Sequence, residues 1–353
     1  MKRVDRHVLG VFGWSWAAAV VFFAGMFVLI HFFSRVGRLE AASRALTGEG
    51  LGVLSGFLSY YAVSFPFIIV ELLPFTILMA AMWTMQHLSR RNELVPLLTS
   101  GISLRRICTP ILLSTILIGL VFSAVRESVL PDLARQRKWL DRLIKGDDKD
   151  NIRNIGLLAD GRGRLFLIHE YDLVKRIATC VDILDADDPG RHLGHVSAMR
   201  FETGPLGKGW YALPEAEVSG DLDFPLRTDL KPRDIEIESA SLRYLAVDDL
   251  RTLIARRPDD LDLQLRMYEH FAYPLNALIL VLLGLPLVLR GEKRTPYMAV
   301  GMSLLISLAW FSLGHLCRRM GASGEIIDPL LGAWLPVLLG GSVGLIFFET
   351  IRT

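Results

Sequence analysis

The sequence predicts an α-helical membrane protein with six spans, three on each side of an inserted domain of β character. Two observations carry that prediction. The 353 residues are 52% hydrophobic with a mean hydropathy of +0.38, yet 22% of them are charged. The two properties are segregated: long apolar runs occupy both ends, and a charged, Gly/Pro-punctuated stretch lies between them. In addition, the helical period disappears from about Asn151 to Glu238 and is replaced by short runs bounded by turn residues.

The first span runs from Val8 to about Phe33, behind the basic residues Lys2, Arg3 and Arg6. A basic start followed by an apolar run also describes a signal peptide, and Ala41–Ala45 resembles a cleavage site. The apolar run is roughly 25 residues, whereas a signal h-region has roughly 7–15, so it reads as a retained span. The second span covers about Phe57 to Met85 and the third about Ile107 to Val125. The fourth runs from about Phe271 to Leu289, the fifth from Met298 to Leu316, and the last from Leu330 to Phe348. Each is close to the roughly 20 apolar residues that cross the hydrocarbon.

Basic residues in short loops set the orientation. With the N-terminus inside, the cytoplasmic side receives Arg90, Arg91, Arg105, Arg106, Arg290, Lys293, Arg294 and Arg352. The other side receives Arg35, Arg38, Arg44, Arg318 and Arg319, partly offset by Glu40, Glu49, Glu325 and Asp328. The bias places both termini in the cytoplasm and the middle domain outside it. The chain then divides into residues 1–130, a first half-bundle; 131–262, the inserted domain with flanking helices; and 263–353, a second half-bundle.

Within the insert, Gly156–Ala159, Asp160–Gly161 and Arg164–His169 read as strand, turn and strand, Asp-Gly being a strong hairpin signal. Thr179–Leu184, Val196–Phe201, Trp210–Leu213, Glu215–Val218 and Ile235–Ile237 complete the strands, which suggests an antiparallel sandwich or open barrel. Asp248–Ala255 returns to helical spacing, with Leu250, Leu253 and Ile254 on one face.

Several functions find no support in the residues. A net charge of +2 does not point to nucleic acid. Cys108, Cys180 and Cys317 have no metal spacing and form no disulfide framework, though one Cys180–Cys317 pair stays open. Residues Gly204–Gly209 have the wrong spacing for a phosphate loop and lie among strands. His192 and His195 are close, but no further ligands join them. The acidic run Asp147–Asp150 reads as a solvated linker. Without a Walker motif, ATP-driven work requires a separate motor.

The loop Ser89–Ser103 is the most informative segment. Leu94, Leu97 and Leu98 share one helical face, Ser89 and Asn92 offer N-cap chemistry beside Glu93, and Gly101 ends the segment. Such a helix either docks in a partner's groove or serves as a plain surface connector. Glu71 lies mid-span, three residues before Pro74. It either lines a cavity that senses substrate or gates, or makes a structural hydrogen bond, for example to backbone freed by Pro74. Glu269 and His270 are expected at the membrane interface. Arg35 and Arg38, just past the first span, are either phosphate contacts or anchors of a helix end.

The segment SRRNELVPLLTSGISLRRICTPIL (89–112) resembles the coupling-helix region of the lipopolysaccharide-export permeases, the LptF/LptG family. YPLNALILVLLGLPLVLR (273–290) is similar to that family's fourth span, and LLPFTILMA (72–80) to its second. The resemblance covers nearly the whole chain. It implies the permease of an ABC-type exporter that pairs with a paralogous permease as a heterodimer and is driven by a cytoplasmic ATPase dimer. ATP and Mg would sit on that ATPase, with no cofactor on this chain. Lipopolysaccharide would leave the inner membrane for a periplasmic bridge, of which the family's β-jellyroll forms part. Asn92, Glu93, Leu94, Leu97, Leu98 and Gly101 would enter the ATPase groove. Pro96 stands where the family often carries a small residue, usually Ala, within the first helical turns that tolerate proline best. Basic residues such as Arg35 and Arg38 would meet the substrate's phosphates. Two other readings compete: an envelope receptor or scaffold with no transport role, and a membrane-embedded enzyme using Glu71 or the histidines.

Overall fold

The computed structural model describes residues 3–47, 51–134, 136–137, 151–160, 162–172, 175–186, 188, 190–204, 207–220, 222–226, 228–239, 244–289 and 296–351. The helices of the first half are α1 (Arg3–Thr47), α2 (Leu51–Arg90), α3 (Leu94–Thr99) and α4 (Leu104–Ser128). Six strands follow: β1 (Asn151–Ala159), β2 (Arg164–Asp172), β3 (Ile177–Asp185), β4 (His192–Gly204), β5 (Gly207–Ala212) and β6 (Val218–Gly220). Then come α5 (Pro232–Ser239), α6 (Val247–Arg256), α7 (Leu261–Leu289), α8 (Pro296–Ser323) and α9 (Pro329–Glu349). Among the described residues, α1, α2, α4, α7, α8 and α9 are each long and apolar enough to cross a membrane. The acidic run 147–150 lies outside the described residues.

The six spans are unequal. In α2 and α7, 67% and 56% of the most apolar stretch is buried, against 11% in α1, so α2 and α7 form the hub and α1 lies outside it. Leu73, Ile77, Leu78, Met82 and Met85 of α2 pack with Ile279, Leu280, Val281 and Leu285 of α7 and with Ile107, Cys108 and Ile111 of α4. Between α4 and α7 the contact is made possible by a missing side chain. A Cβ on Gly119 would lie 2.8 Å from the Pro274 carbonyl oxygen.

Hydropathy marks the apolar core of a helix and misses its ends. α1 continues to Thr47, past Arg35 and Arg38, and α2 begins at Leu51. At about 1.5 Å per residue, the 40 residues of α2 span about 60 Å, twice the hydrocarbon thickness. The α1–α2 hairpin therefore projects beyond any bilayer its apolar part crosses.

The strands form one antiparallel sheet in the order β1-β2-β3-β4-β5, with β6 also paired to β4. From β1 to β5 every connection is to a neighbour, so that path is a meander, and β6 then returns to pair with β4. Asp160 builds the first turn, its Oδ1 accepting from the backbone N–H of Arg162 (3.0 Å) and Arg164 (2.9 Å). Alternation buries one face: Phe166, Ile168, Val181, Ile183, Val196 and Trp210. Where a sandwich or open barrel is expected, the described residues form a single antiparallel sheet whose covered face meets Leu226, Leu230 and Ile235. The Trp210 indole N–H, donating to the Leu230 carbonyl at 2.8 Å, holds that cover in place.

Two expected strands are corrected. Ile235–Ile237 is helical, inside α5. Pro232 occupies the first helical position, and Asp234 accepts from the Lys231 N–H at 2.7 Å, so local capping outweighs the β-branched residues. Glu215–Val218 is displaced to β6, because the Ala216 N–H closes a turn onto the Leu213 carbonyl at 2.9 Å. The open cysteine question is also answered, since all three cysteines are free, Cys317 being buried and Cys180 exposed.

Candidate functional site: a capped connector and a polar cavity

The connector between α2 and α4 is defined by two backbone stops. Asn92 adopts φ +54°, its N–H bonds to the Ser89 carbonyl and the Glu93 N–H to that of Leu88. This is the Schellman pattern with Asn in the left-handed position. Nine residues later Gly101 adopts φ +79°, its N–H bonds to the Leu98 carbonyl and the Ile102 N–H to that of Leu97. The same motif thus ends α3, and Ser103 then caps α4 by accepting from the Arg106 N–H.

The N-cap chemistry expected of Ser89 and Asn92 is not what they do. Ser89 lies within α2, and Asn92 ends α2 because its short polar side chain tolerates the left-handed region. Glu93 occupies the cap position of α3 without a side-chain cap bond. Its carboxylate instead meets His7 Nε2 at 2.9 Å. Asp5 pairs with Arg106 at 2.8 Å, and the Arg105 guanidinium donates to the Glu349 carbonyl. The N-terminal end of the described chain thus holds the connector through Glu93, and both ends hold the start of α4 that follows it.

The apolar face also differs from the sequence reading. Leu94 is buried and Leu97 packs on the bundle core, but Leu98 points outward. Leu98 is 37% exposed and Val95 is 58% exposed, and three residues apart they share the outer surface. Val95 was missed because a six-residue helix has too few turns for periodicity to say which face is covered.

A cavity of about 170 Å³ lies among the middle of α2, the C-terminal end of α4, the first half of α7, the second half of α8 and the first turns of α9. Glu71, Arg126, Arg266, Glu269 and Arg318 line it, three guanidiniums against two carboxylates. Glu71 does line a cavity, and it also accepts a hydrogen bond from the Tyr244 hydroxyl. The backbone freed by Pro74 is satisfied otherwise. Pro74 cannot donate to the Val70 carbonyl one turn back, and the Tyr273 hydroxyl does so at 2.9 Å. The Arg126 guanidinium sits 4.9 Å from the centre of the Tyr273 ring.

Glu269 and His270, expected at the interface, both have partners. Glu269 pairs with Arg318 at 2.5 Å in the cavity wall. His270 is buried and lies 2.9 Å from Glu127. Glu127 also accepts from the Val247 N–H at 3.0 and 3.3 Å. It caps α6, whose own cap residue Ala246 has no side-chain acceptor. From α6, Arg256 and Asp249 pair with Asp234 and Arg233 of α5, and Arg257 donates to the Leu157 carbonyl of β1. A chain of polar contacts thus runs from Glu127 and His270, the sequence neighbours of the cavity residues Arg126 and Glu269, to the sheet.

Arg35 and Arg38 lie on α1, but their side chains are outside the described residues. His195 pairs with Asp182 at 2.7 Å, and no metal-binding group of three His, Cys, Asp or Glu occurs among the described residues.

Among the described residues, six span-capable helices and a separate antiparallel sheet define a multi-pass membrane protein. The chain belongs to the lipopolysaccharide export system permease LptF/LptG family, whose model matches residues 16–213 and 214–350. No curated protein matches it.

Proposed function

We propose that this chain is a permease subunit of an ABC-type exporter in the bacterial inner membrane, moving lipopolysaccharide toward a periplasmic bridge. The connector carries the proposal. Two left-handed stops hold a one-and-a-half-turn helix rigid, with Val95 and Leu98 outward and Glu93 beside them. A receptor has no use for such a knob. Full burial of an aliphatic side chain contributes about 1.5–3 kcal/mol, so even these partly exposed residues would make a real docking contact.

In this reading both termini and the connector are cytoplasmic. Asn92, Glu93, Leu94, Leu97, Leu98 and Gly101, together with Val95, present a coupling helix to a separate ATPase dimer that binds ATP and Mg. A paralogous permease completes the pathway as a heterodimer. Residues 131–262 form a periplasmic domain whose sheet joins a jellyroll bridge, and residues 1–130 and 263–353 are the two half-bundles. Arg35 and Arg38 meet the glycolipid's phosphates at the outer surface. Glu71 and the cavity's guanidiniums form the gate, and the contacts through Glu127 carry its movement to α6 and the sheet.

Co-purification in detergent with the cytoplasmic ATPase tests the reading. Glu93→Lys and Val95→Asp/Leu98→Asp should each reduce ATPase recovery at least ten-fold while the chain stays folded. Undiminished recovery with both variants would falsify the docking role.

A further inference from the structure

A second recess lies at the connector end of the bundle, between α1 and α2. The α1–α2 hairpin is antiparallel: Phe23 meets Phe75, His31 meets Tyr61, and the first turns of α1 face the last turns of α2. Between them opens a groove of about 390 Å³ lined by Arg6, His7, Gly10, Trp14, Trp83 and His87, among others. Gly10 leaves its floor empty, because a Cβ there would meet nothing within 4 Å.

The groove is graded along the helix axis. Arg6, His7 and His87 stand at its outer end, and Trp14 and Trp83 at its inner end. From Arg6 to Trp14 the helical rise is about 12 Å, more than the roughly 5–8 Å of headgroup region on each side of the hydrocarbon. With the indoles at the ester level, where tryptophan is enriched in membrane proteins, the Arg6 backbone stands at or just beyond the phosphate level, within reach of its long side chain. Trp14 is 80% exposed and Trp83 39%. Neither indole N–H has a hydrogen-bond partner among the described residues, and neither does Arg6 or His87. Asp5 and Glu93 are already engaged with Arg106 and His7, so the carboxylates nearest the groove do not offset Arg6.

We propose that this groove binds the headgroup of an anionic glycerophospholipid from the connector-side leaflet. The phosphate lies between Arg6 and His87, and the glycerol esters accept from Trp14 and Trp83. A protein helix would bury the indoles but leave the guanidinium desolvated, whereas a lipid headgroup matches both ends of the gradient. His7 both lines the groove and holds Glu93, so lipid occupancy bears on the position of the connector.

The full chain in proteoliposomes of dibrominated phosphatidylglycerol or dibrominated phosphatidylcholine provides the test, read as quenching of tryptophan fluorescence. Phosphatidylglycerol should quench more, and Trp14→Phe/Trp83→Phe should remove the difference. Arg6→Gln/His87→Gln should weaken the preference about five-fold, the scale of one basic residue near an anionic surface. Arg90→Gln/Arg91→Gln, on the same face outside the groove, should keep it. Equal quenching by the two lipids would overturn the proposal, as would equal loss in both charge pairs, which signals a diffuse surface potential. Reversal of the preference by inorganic phosphate would reassign the site to a free anion. With no ATPase or lipopolysaccharide in the assay, a negative result leaves the exporter reading intact.

Discussion

The connector and the polar cavity lie at different levels of the bundle, and their backbones are shaped by different means. The connector is shaped by bonds between residues three to five apart, closed by Asn92 and Gly101 in the left-handed region. The cavity is shaped by residues far apart in the chain: Tyr244 with Glu71, Tyr273 with Val70, Glu269 with Arg318. A local device keeps its form whatever the bundle does, as a docking knob requires. A device assembled from five helices changes whenever any of them moves, as a gate requires.

Three substitutions probe that contrast, each followed by chemical unfolding in detergent. Gly119→Leu attacks the bundle itself. Its Cβ would fall 2.8 Å from the Pro274 carbonyl oxygen, and overpacking of this kind costs about 3 kcal/mol. The α4–α7 packing beside the cavity should separate, and an unchanged midpoint would show that the two helices yield easily. Tyr273→Phe removes one hydroxyl and leaves the Val70 carbonyl without its partner. A loss of about 2 kcal/mol is expected, with ATPase docking untouched. If docking fell as well, the two regions would not be independent.

Gly101→Ala acts only on the connector. Nothing lies within 4 Å of the added Cβ, so the cost is the left-handed backbone alone, about 1 kcal/mol. Global unfolding should barely shift, while amide hydrogen exchange at Gly101 and Ile102 accelerates. Exchange that speeds equally in α2 and α4 would mean the connector is not a separate unit.

How much of this was legible follows from the range of the forces involved. The spans were readable because roughly 20 apolar residues in a row have few other uses. Their ends were not, since a helix running out of the hydrocarbon keeps its backbone bonds while its composition turns polar, as α1 does through Arg35 and Arg38 to Thr47. Asp160 announced a hairpin that formed. Ile235 announced a strand, but Pro232 and Asp234 made a helix start that the β-branched pattern concealed.

At the candidate site the same division holds. Glu71 stood out because a carboxylate inside an apolar run is costly, yet its partner Tyr244 is 173 positions away. Glu127 gave no signal and His270 read only as interfacial, because nothing in either local sequence says that they meet. The tryptophans lining the α1–α2 groove lie 69 positions apart in number (83 − 14) and look like ordinary interfacial residues until the hairpin brings them together.

The sequence by itself therefore determined the membrane class, the six apolar segments, the β insert and the place of the connector. Each rests on composition or on contacts within a few residues, and those are written directly in the chain. Only the tertiary structure decided which leucine of α3 faces outward, that Glu71 and Tyr244 meet, and that Glu127 joins α4, α6 and α7. Those outcomes depend on packing between helices distant in sequence, where the partner's shape rather than local preference selects the contact.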